Sequence, residues 1–123
     1  MTPTIKQLGK DAVNILQNRL MRWQNKNFDA CDCKPEWMIV GAVEELGEAA
    51  HVLLKSRQKI REYQNGFDDV AREDLKDAIV DAVIYLMQLC SRTDIAFGDA
   101  LFKITEEVLE RNWKEKKTDG VNE

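Results

Sequence analysis

Four stretches of the sequence place apolar residues at intervals of three and four, and this spacing most constrains what the chain can fold into. A helix has about 3.6 residues per turn, so the spacing gathers apolar side chains on one helical face. Only two prolines and six glycines occur in 123 residues, which is few for the many turns of an all-β protein. In the first stretch the apolar residues are Ile5, Leu8, Ala12, Ile15, Leu16, Leu20 and Trp23.

Loop and turn signals separate these stretches. The segment 27–35 combines Asn, Asp and Pro, and Pro35 suits the first position of a helix. The Asn65-Gly66 pair marks a turn. We predict an all-α chain with one helical domain over residues 1–117 and a polar tail over 118–123. The predicted helices have these approximate bounds: Thr4–Lys26, Glu36–Tyr63, Asp69–Thr93 and Asp99–Lys116.

The charge and the cysteines limit the partners and the compartment. The formal net charge of −4 argues against nucleic acid or an anionic membrane surface as the main partner. No apolar run reaches the roughly 20 residues that a membrane helix needs. Three cysteines is an odd number, which fits free thiols in a reducing cytoplasm. We therefore expect a cytoplasmic protein that binds neither nucleic acid nor a membrane.

The second predicted helix carries an unusual group of acids, Glu44, Glu45 and Glu48, with Gly47 among them. On a helical wheel Glu45 lies near the edge of the apolar sector, and Glu48 lies outside it, about 60° from Glu45. Glu44 is expected to point further away, toward solvent. The apolar sector itself, which we expect to face the core, comprises Ile39, Ala42, Val43, Leu46, Ala50 and Leu53.

The third predicted helix repeats the acidic pattern. Asp74, Asp77, Asp81 and Tyr85 follow one another at steps of three and four and form one stripe of the helix. Acids are mostly exposed, so a solvated acidic face is one interpretation. Two acidic stripes that meet across a groove are the other, because such a cluster needs cations and all-oxygen ligands favour Mg²⁺ or Mn²⁺. The pattern alone leaves both open.

His51 adds a further alternative. Glu48 and His51 have the Glu-x-x-His spacing of di-iron carboxylate bundles. That site needs a second Glu-x-x-His, and His51 is the only histidine of the chain. A histidine on the polar face beside a metal site is the simpler interpretation.

Two motifs together resemble the MazG-like all-α nucleoside triphosphate pyrophosphohydrolases, a superfamily that includes dimeric dUTPases and dCTP pyrophosphatases. The family's pattern is Glu-Glu-x-x-Glu on one helix and Glu-x-x-Asp on the next. The segments of this chain that resemble the two parts of this pattern are "EELGE" (44–48) and "KDAIVDAVIYL" (76–86). Further similarity extends over "RWQNKNF" (22–28), "GEAAHVLLK" (47–55) and "ERNW" (110–113).

The resemblance implies an antiparallel helical bundle completed by oligomerisation to a dimer or tetramer. It also implies that Glu45, Glu48 and Asp81 bind Mg²⁺, and that Gly47 permits close helix approach. In the family's pattern a Glu precedes the Asp by three residues, but this chain has Ala78 there. Asp77 is the nearest carboxylate and our expected substitute, with Asp74 next.

By the same resemblance the chain would cleave a nucleoside triphosphate between the α and β phosphates. Glu45 or Glu48 would then accept the proton of the attacking water. Tyr85 would lie near the nucleotide, and Arg111 with Asn112, on the last helix, would face the phosphates.

Several further residues are candidates for substrate contacts on general grounds. Lys55 is a candidate phosphate contact, although a surface charge is the plainer interpretation. Trp23, Phe28, Trp37 or Trp113 could stack on the base, although each could instead pack in the core. The main alternative from another class is a non-catalytic helical module that binds a partner protein.

Overall fold

The computed structural model describes residues 2–118, which form four α-helices with short connections. Two short 3₁₀ helices, Ala30–Asp32 and Arg61–Tyr63, lie in the connections. No strand occurs within residues 2–118, so the all-α prediction is confirmed there. Of the predicted polar tail, residues 119–123 lie outside the described part. The helices are α1 (Ile5–Asn27), α2 (Pro35–Gln58), α3 (Asp69–Arg92) and α4 (Phe97–Glu110).

Two predicted helix ends are wrong. We expected the second helix to reach Tyr63, but α2 ends at Gln58 because Lys59 adopts a left-handed conformation, with φ of 57°. The Lys59 amide then donates to the carbonyls of Lys55 and Ser56 and closes the helix. We expected the fourth helix to reach Lys116, but Arg111 is extended and α4 ends at Glu110.

Side chains of α1 cap the start of α4. Ala96 precedes α4 and has no side chain that accepts a hydrogen bond. Instead, Gln17 Oε1 accepts from the Phe97 amide at 2.8 Å, and Asn14 Oδ1 accepts from the Gly98 amide at 2.8 Å. Gln17 is 5% exposed, and its Nε2 also donates to the Ile95 carbonyl at 2.8 Å. These bonds satisfy amides that a helix start leaves without partners, and they fix α4 against α1.

Helices α2 and α3 pack along their lengths and run in opposite directions. Near the start of α2, Gly41 lies against the ring of Tyr85, which is near the end of α3. Toward the other end, Val52 of α2 shares a buried cluster with Tyr63 and Ala71. The middle of α2 therefore faces the middle of α3, which is where the acidic motifs of both helices lie.

The apolar sector predicted for the second helix is not the face that α2 buries within this chain. Of that sector only Ala42 is buried, whereas Val43 is 62% and Leu46 is 58% exposed. The buried residues of α2 are Met38, Ala42, Ala49, Val52 and Ser56. Glu45 falls in the same helical row and is partly buried.

The same outward placement of large apolar side chains recurs on the other helices. On α3, Ile79, Val83 and Leu86 are exposed, while Ala78 and Ala82 are buried. The apolar residues predicted to hold the first helix are also largely exposed, as are Leu101, Ile104 and Val108 of α4. None of the helices in the described part combines the length and the apolarity required to cross a membrane.

A partly buried hydrogen bond joins the α2–α3 connection to α3 and predicts that stability depends on pH in the alkaline range. The Tyr63 hydroxyl donates to Asp74 Oδ2 at 2.8 Å, and Tyr63 is 6% exposed. This bond and burial raise the pKa of Tyr63 to about 12. A phenol in the unfolded chain ionises near pH 10, so between pH 10 and 12 the unfolded state loses a proton that the folded state keeps.

We therefore expect the free energy of unfolding to fall more steeply between pH 10 and 12 in the wild type than in Tyr63→Phe. Below pH 10 the wild type should be the more stable protein, by about 1 kcal/mol for the hydrogen bond. Urea unfolding of both proteins at pH 8, 10 and 12 measures the difference. Parallel curves for the two proteins would show that this hydroxyl does not remain protonated in the fold.

Candidate functional site

Two adjoining cavities lie beside the α2–α3 contact, and Asp81 lines both. The larger, which we name the aromatic cavity, has a volume of about 610 Å³. Its aromatic wall consists of Trp23, Phe28, Trp37 and Tyr85, and Glu45 also lines it. Such a volume, with mostly apolar walls and a few polar groups, is typical of a small-molecule site.

The smaller cavity, which we name the acidic cavity, has a volume of about 300 Å³. Its carboxylates come from both helices and from the connection between them. Because α2 and α3 run in opposite directions, the acids of the two motifs approach each other here. Its titratable lining comprises Glu48, His51, Glu62, Tyr63, Asp74, Asp77 and Asp81.

The four predicted metal ligands line these two cavities, but only Glu45 and Glu48 among them belong to a group whose ligand atoms lie within 4.8 Å of one another. Glu45 and Asp81 line the aromatic cavity, and Glu48, Asp77 and Asp81 line the acidic cavity. Ala78, which stands where the family's pattern has Glu, also lines the acidic cavity and is 3% exposed.

Carboxylates crowd the middle of α2. Ligand oxygens of Glu44, Glu45 and Glu48 lie within 4.8 Å of one another. Glu44 is exposed, as expected, but its carboxylate also lies near those of Glu45 and Glu48. Residues 44 and 48 are four apart, which makes them neighbours on a helix, and this spacing could have revealed the contact.

Glu45 is the most perturbed acid of the group. Its Oε2 atom is buried and has no hydrogen-bond partner among the described residues. Burial first, then a hydrogen bond with the Glu48 side chain, and then the negative charges of Glu48, Asp81 and Glu44, raise the pKa of Glu45. Several carboxylates with an unpartnered buried oxygen, and no nitrogen or sulfur donor among them, are a donor set that suits a hard divalent cation.

The close helix approach occurs at Gly41 rather than at Gly47. A Cβ atom added at Gly47 would meet nothing within 4 Å in the described part of the chain. A Cβ atom added at Gly41 would overlap the ring of Tyr85. Within this chain the expectation for Gly47 is therefore wrong, and it is Gly41 that lets Tyr85 lie against α2.

The larger cavity is lined by four of the five aromatic residues named as candidate nucleotide contacts, all except Trp113. Trp23 meets Phe28 edge to face, with ring centroids 5.9 Å apart, and remains 51% exposed. Tyr85 is partly buried, and burial together with the charges of Glu44, Glu45 and Asp81 raises the pKa of its hydroxyl. A protonated hydroxyl of Tyr85 next to carboxylates is available as a donor.

The remaining predicted substrate contacts lie away from these cavities. Lys55 Nζ donates to Gln58 Oε1 at 3.2 Å, and Lys55 lines neither cavity. Arg111 and Asn112 were expected on the last helix but follow its end. Asn112 Oδ1 accepts hydrogen bonds from the amides of Lys114 and Glu115.

His51 was expected on the polar face and lines the acidic cavity, but its contact with Glu62, and the site residues Gln24 and Gln88, were not foreseen from the sequence. His51 contacts Glu62 across the acidic cavity, and this hydrogen bond lowers the pKa of the Glu62 carboxyl. Gln24 and Gln88 line the aromatic cavity, where both are 3% exposed. Gln88 could have been found, because it lies seven residues after Asp81 and so extends the stripe that Asp81 and Tyr85 define.

Comparisons with family models, with curated proteins and with solved structures yield no match to this chain. The function of the site is therefore inferred from its own geometry. The motifs "EELGE" and "KDAIVDAVIYL" supply the resemblance that the proposal below also uses.

Proposed function

We propose that the chain is a Mg²⁺-dependent nucleoside triphosphate pyrophosphohydrolase, with Mn²⁺ as an alternative metal. The observation that carries the proposal is the position of Asp81, which lines both an aromatic cavity and an acidic cavity. An aromatic cavity suits a base, and an acidic cavity suits the cations that accompany phosphates. Adjoining cavities of these two kinds match the two chemically different ends of a nucleotide.

Four carboxylates would hold the metal: Glu45, Glu48, Asp77 and Asp81. The unpartnered Oε2 of Glu45 supports this assignment, as do the carboxylate oxygens of Glu45 and Glu48 within 4.8 Å of one another. Asp77 lines the acidic cavity beside Ala78, so its carboxylate is available where the family's Glu is missing. When bound there, Mg²⁺ would supply positive charge that offsets the negative charge developing on the phosphates during transfer.

The chain's own residues would orient the substrate and move the proton. Trp23, Phe28 and Trp37 would stack on the base and exclude water from one end of the substrate. Glu45 is the favoured acceptor of the proton from the attacking water, with Glu48 next. The raised pKa of Glu45 makes it a better base than an ordinary exposed carboxylate.

We also propose that the chain assembles with further copies of itself, as a homodimer or homotetramer that completes an antiparallel bundle. A compact monomer of 14.2 kDa exposes about 6,800 Å², whereas this chain exposes 9325 Å². The surplus exceeds the roughly 800 Å² per partner of a standard interface. The exposed aliphatic row of α2 would pack against the same row of a second copy, because two identical apolar rows are complementary to each other. The row consists of Ile39, Val43, Leu46 and Leu53.

A panel of nucleoside triphosphates, assayed with and without Mg²⁺, tests the enzymatic proposal. We expect equal amounts of monophosphate and pyrophosphate from at least one substrate, and none after chelation. Orthophosphate as the product, or no metal-dependent product from any substrate, would refute it.

Iron in the purified protein would instead favour the di-iron alternative, although His51 already contacts Glu62 in this fold. An inert protein that captures a partner through its helix faces would favour the non-catalytic module.

A further inference from the structure

Gln88 is a buried amide without a hydrogen-bond partner. It lies on α3, is 3% exposed and lines the aromatic cavity. Its side chain makes no hydrogen bond to any residue of the described part, 2–118. The Gln88 amide atoms are not among the fully enclosed polar atoms that lack a partner, so they open to the cavity that Gln88 lines and are available there to a ligand.

The other three polar residues that are buried in the described part all have hydrogen-bond partners. Gln17 bonds to the backbone at Ile95 and Phe97, and the Ser56 hydroxyl donates to the Leu53 carbonyl. Gln24 contacts Arg92 and Met38. Gln88 is therefore the exception among the four buried polar residues of the described chain.

Gln24, on the same cavity, has an amide whose orientation is fixed. Its Oε1 accepts from Arg92 Nε at 3.0 Å, and a guanidinium can only donate. The Gln24 NH₂ group must therefore point the other way, toward Met38 Sδ at 3.1 Å and the cavity that both residues line. A thioether is a weak acceptor and occupies only one of the two N–H groups.

We propose that Gln88 is the specificity-determining residue of the aromatic cavity and reads the polar edge of a nucleobase. The aromatic side chains would hold the faces of the base, and the Gln88 amide would supply one donor and one acceptor to its edge. The oriented NH₂ group of Gln24 would donate to an acceptor of the same base. This inference rests on the proposed function, because it assumes that the ligand of the cavity is a nucleotide.

A stability measurement separates this role from a structural one. Gln88→Met keeps the length of the side chain and removes its polar atoms. Because the amide has no partner to lose, we expect the melting temperature to stay unchanged or rise. Gln17→Met is the matched control and should melt at a lower temperature, since it removes bonds that cap α4. A comparable loss in both variants would overturn the inference.

The binding test uses the four common nucleosides without metal, in proteins that carry Trp113→Phe. Trp113 does not line the aromatic cavity, so the remaining fluorescence comes from Trp23 and Trp37, which do. In the protein that retains Gln88, we expect the nucleosides to quench the tryptophan fluorescence with affinities that differ from base to base. With Gln88→Met the affinity for the preferred base should fall about tenfold or more and the ranking should flatten, leaving weak, unselective stacking. An unchanged ranking, or no ranking in the parent protein, would overturn the inference.

Turnover of the matching triphosphates distinguishes the two proposals. If the wild type hydrolyses triphosphates and Gln88→Met keeps the same base ranking in kcat/KM, the role of Gln88 is wrong and the enzymatic function stands. If the wild type ranks nucleosides through Gln88 but hydrolyses no triphosphate, the enzymatic function is wrong and the recognition of the base stands.

Discussion

Asp81→Asn should abolish Mg²⁺-dependent turnover, lowering kcat by about a thousandfold, which corresponds to about 4 kcal/mol of activation free energy. Among the described residues, Asp81 is the only one that lines both the aromatic and the acidic cavity. An amide oxygen lacks the negative charge that holds a divalent cation among other acids. Glu48→Gln should have a similar effect for the same reason.

The folded state should survive these substitutions. Asp81 is exposed, and its negative charge raises the pKa of the nearby Glu45. Removing that charge relieves repulsion, so the metal-free variant should melt at the same temperature as the wild type or higher. Circular dichroism and a thermal melt in chelator measure this directly.

His51→Gln is the matched control for the metal assignment. Its ring contacts Glu62 and lines the acidic cavity, but Mg²⁺ prefers oxygen ligands. We expect most of the activity to remain. If Asp81→Asn turned over substrate as fast as the wild type, the metal assignment would be refuted. A loss in His51→Gln equal to that in Glu48→Gln would favour the Glu-x-x-His alternative.

The sequence was sufficient to predict the four helices and the meeting of the acidic stripes. Apolar spacing identifies a helix whatever it packs against, and Asp77 and Asp81 follow from their positions along one stripe. The end of α2 was missed because Lys59 takes a left-handed conformation without the Gly that usually marks it. The end of α4 was missed because Arg111 leaves the helix with no Pro or Gly nearby.

The buried face of α2 could not be predicted for a different reason. Periodicity finds apolar rows but does not tell which row contacts the same chain and which awaits another surface. Here the row with Ala42 and Ala49 faces α3, and the larger aliphatic row faces outward. The lack of a hydrogen-bond partner for Gln88 could not be predicted from the sequence either, since hydrogen bonding depends on neighbours that are distant in sequence.

The outward row of α2 leads to the second large effect. The double variant Val43→Lys with Leu46→Lys should dissociate the assembly into monomers and lower the melting temperature by about 10 °C or more. Burying a Val or Leu side chain contributes about 1.5 to 3 kcal/mol, and each side chain would be buried once in every copy. Charged ammonium groups on both sides of the interface would also repel. Light scattering coupled to size-exclusion chromatography measures the mass of each species.

Leu109→Lys is the control, because Leu109 is 78% exposed at the end of α4, away from the row of α2. It should leave the mass and the melting temperature unchanged, which separates loss of the interface from a general effect of added charge. A monomeric wild type at micromolar concentration would refute the second-copy proposal. So would a double variant that keeps the wild-type mass. If the double variant is monomeric and loses turnover although Glu45 and Asp81 are intact, the assembly is needed to hold α2 and α3 at the separation that the metal site requires.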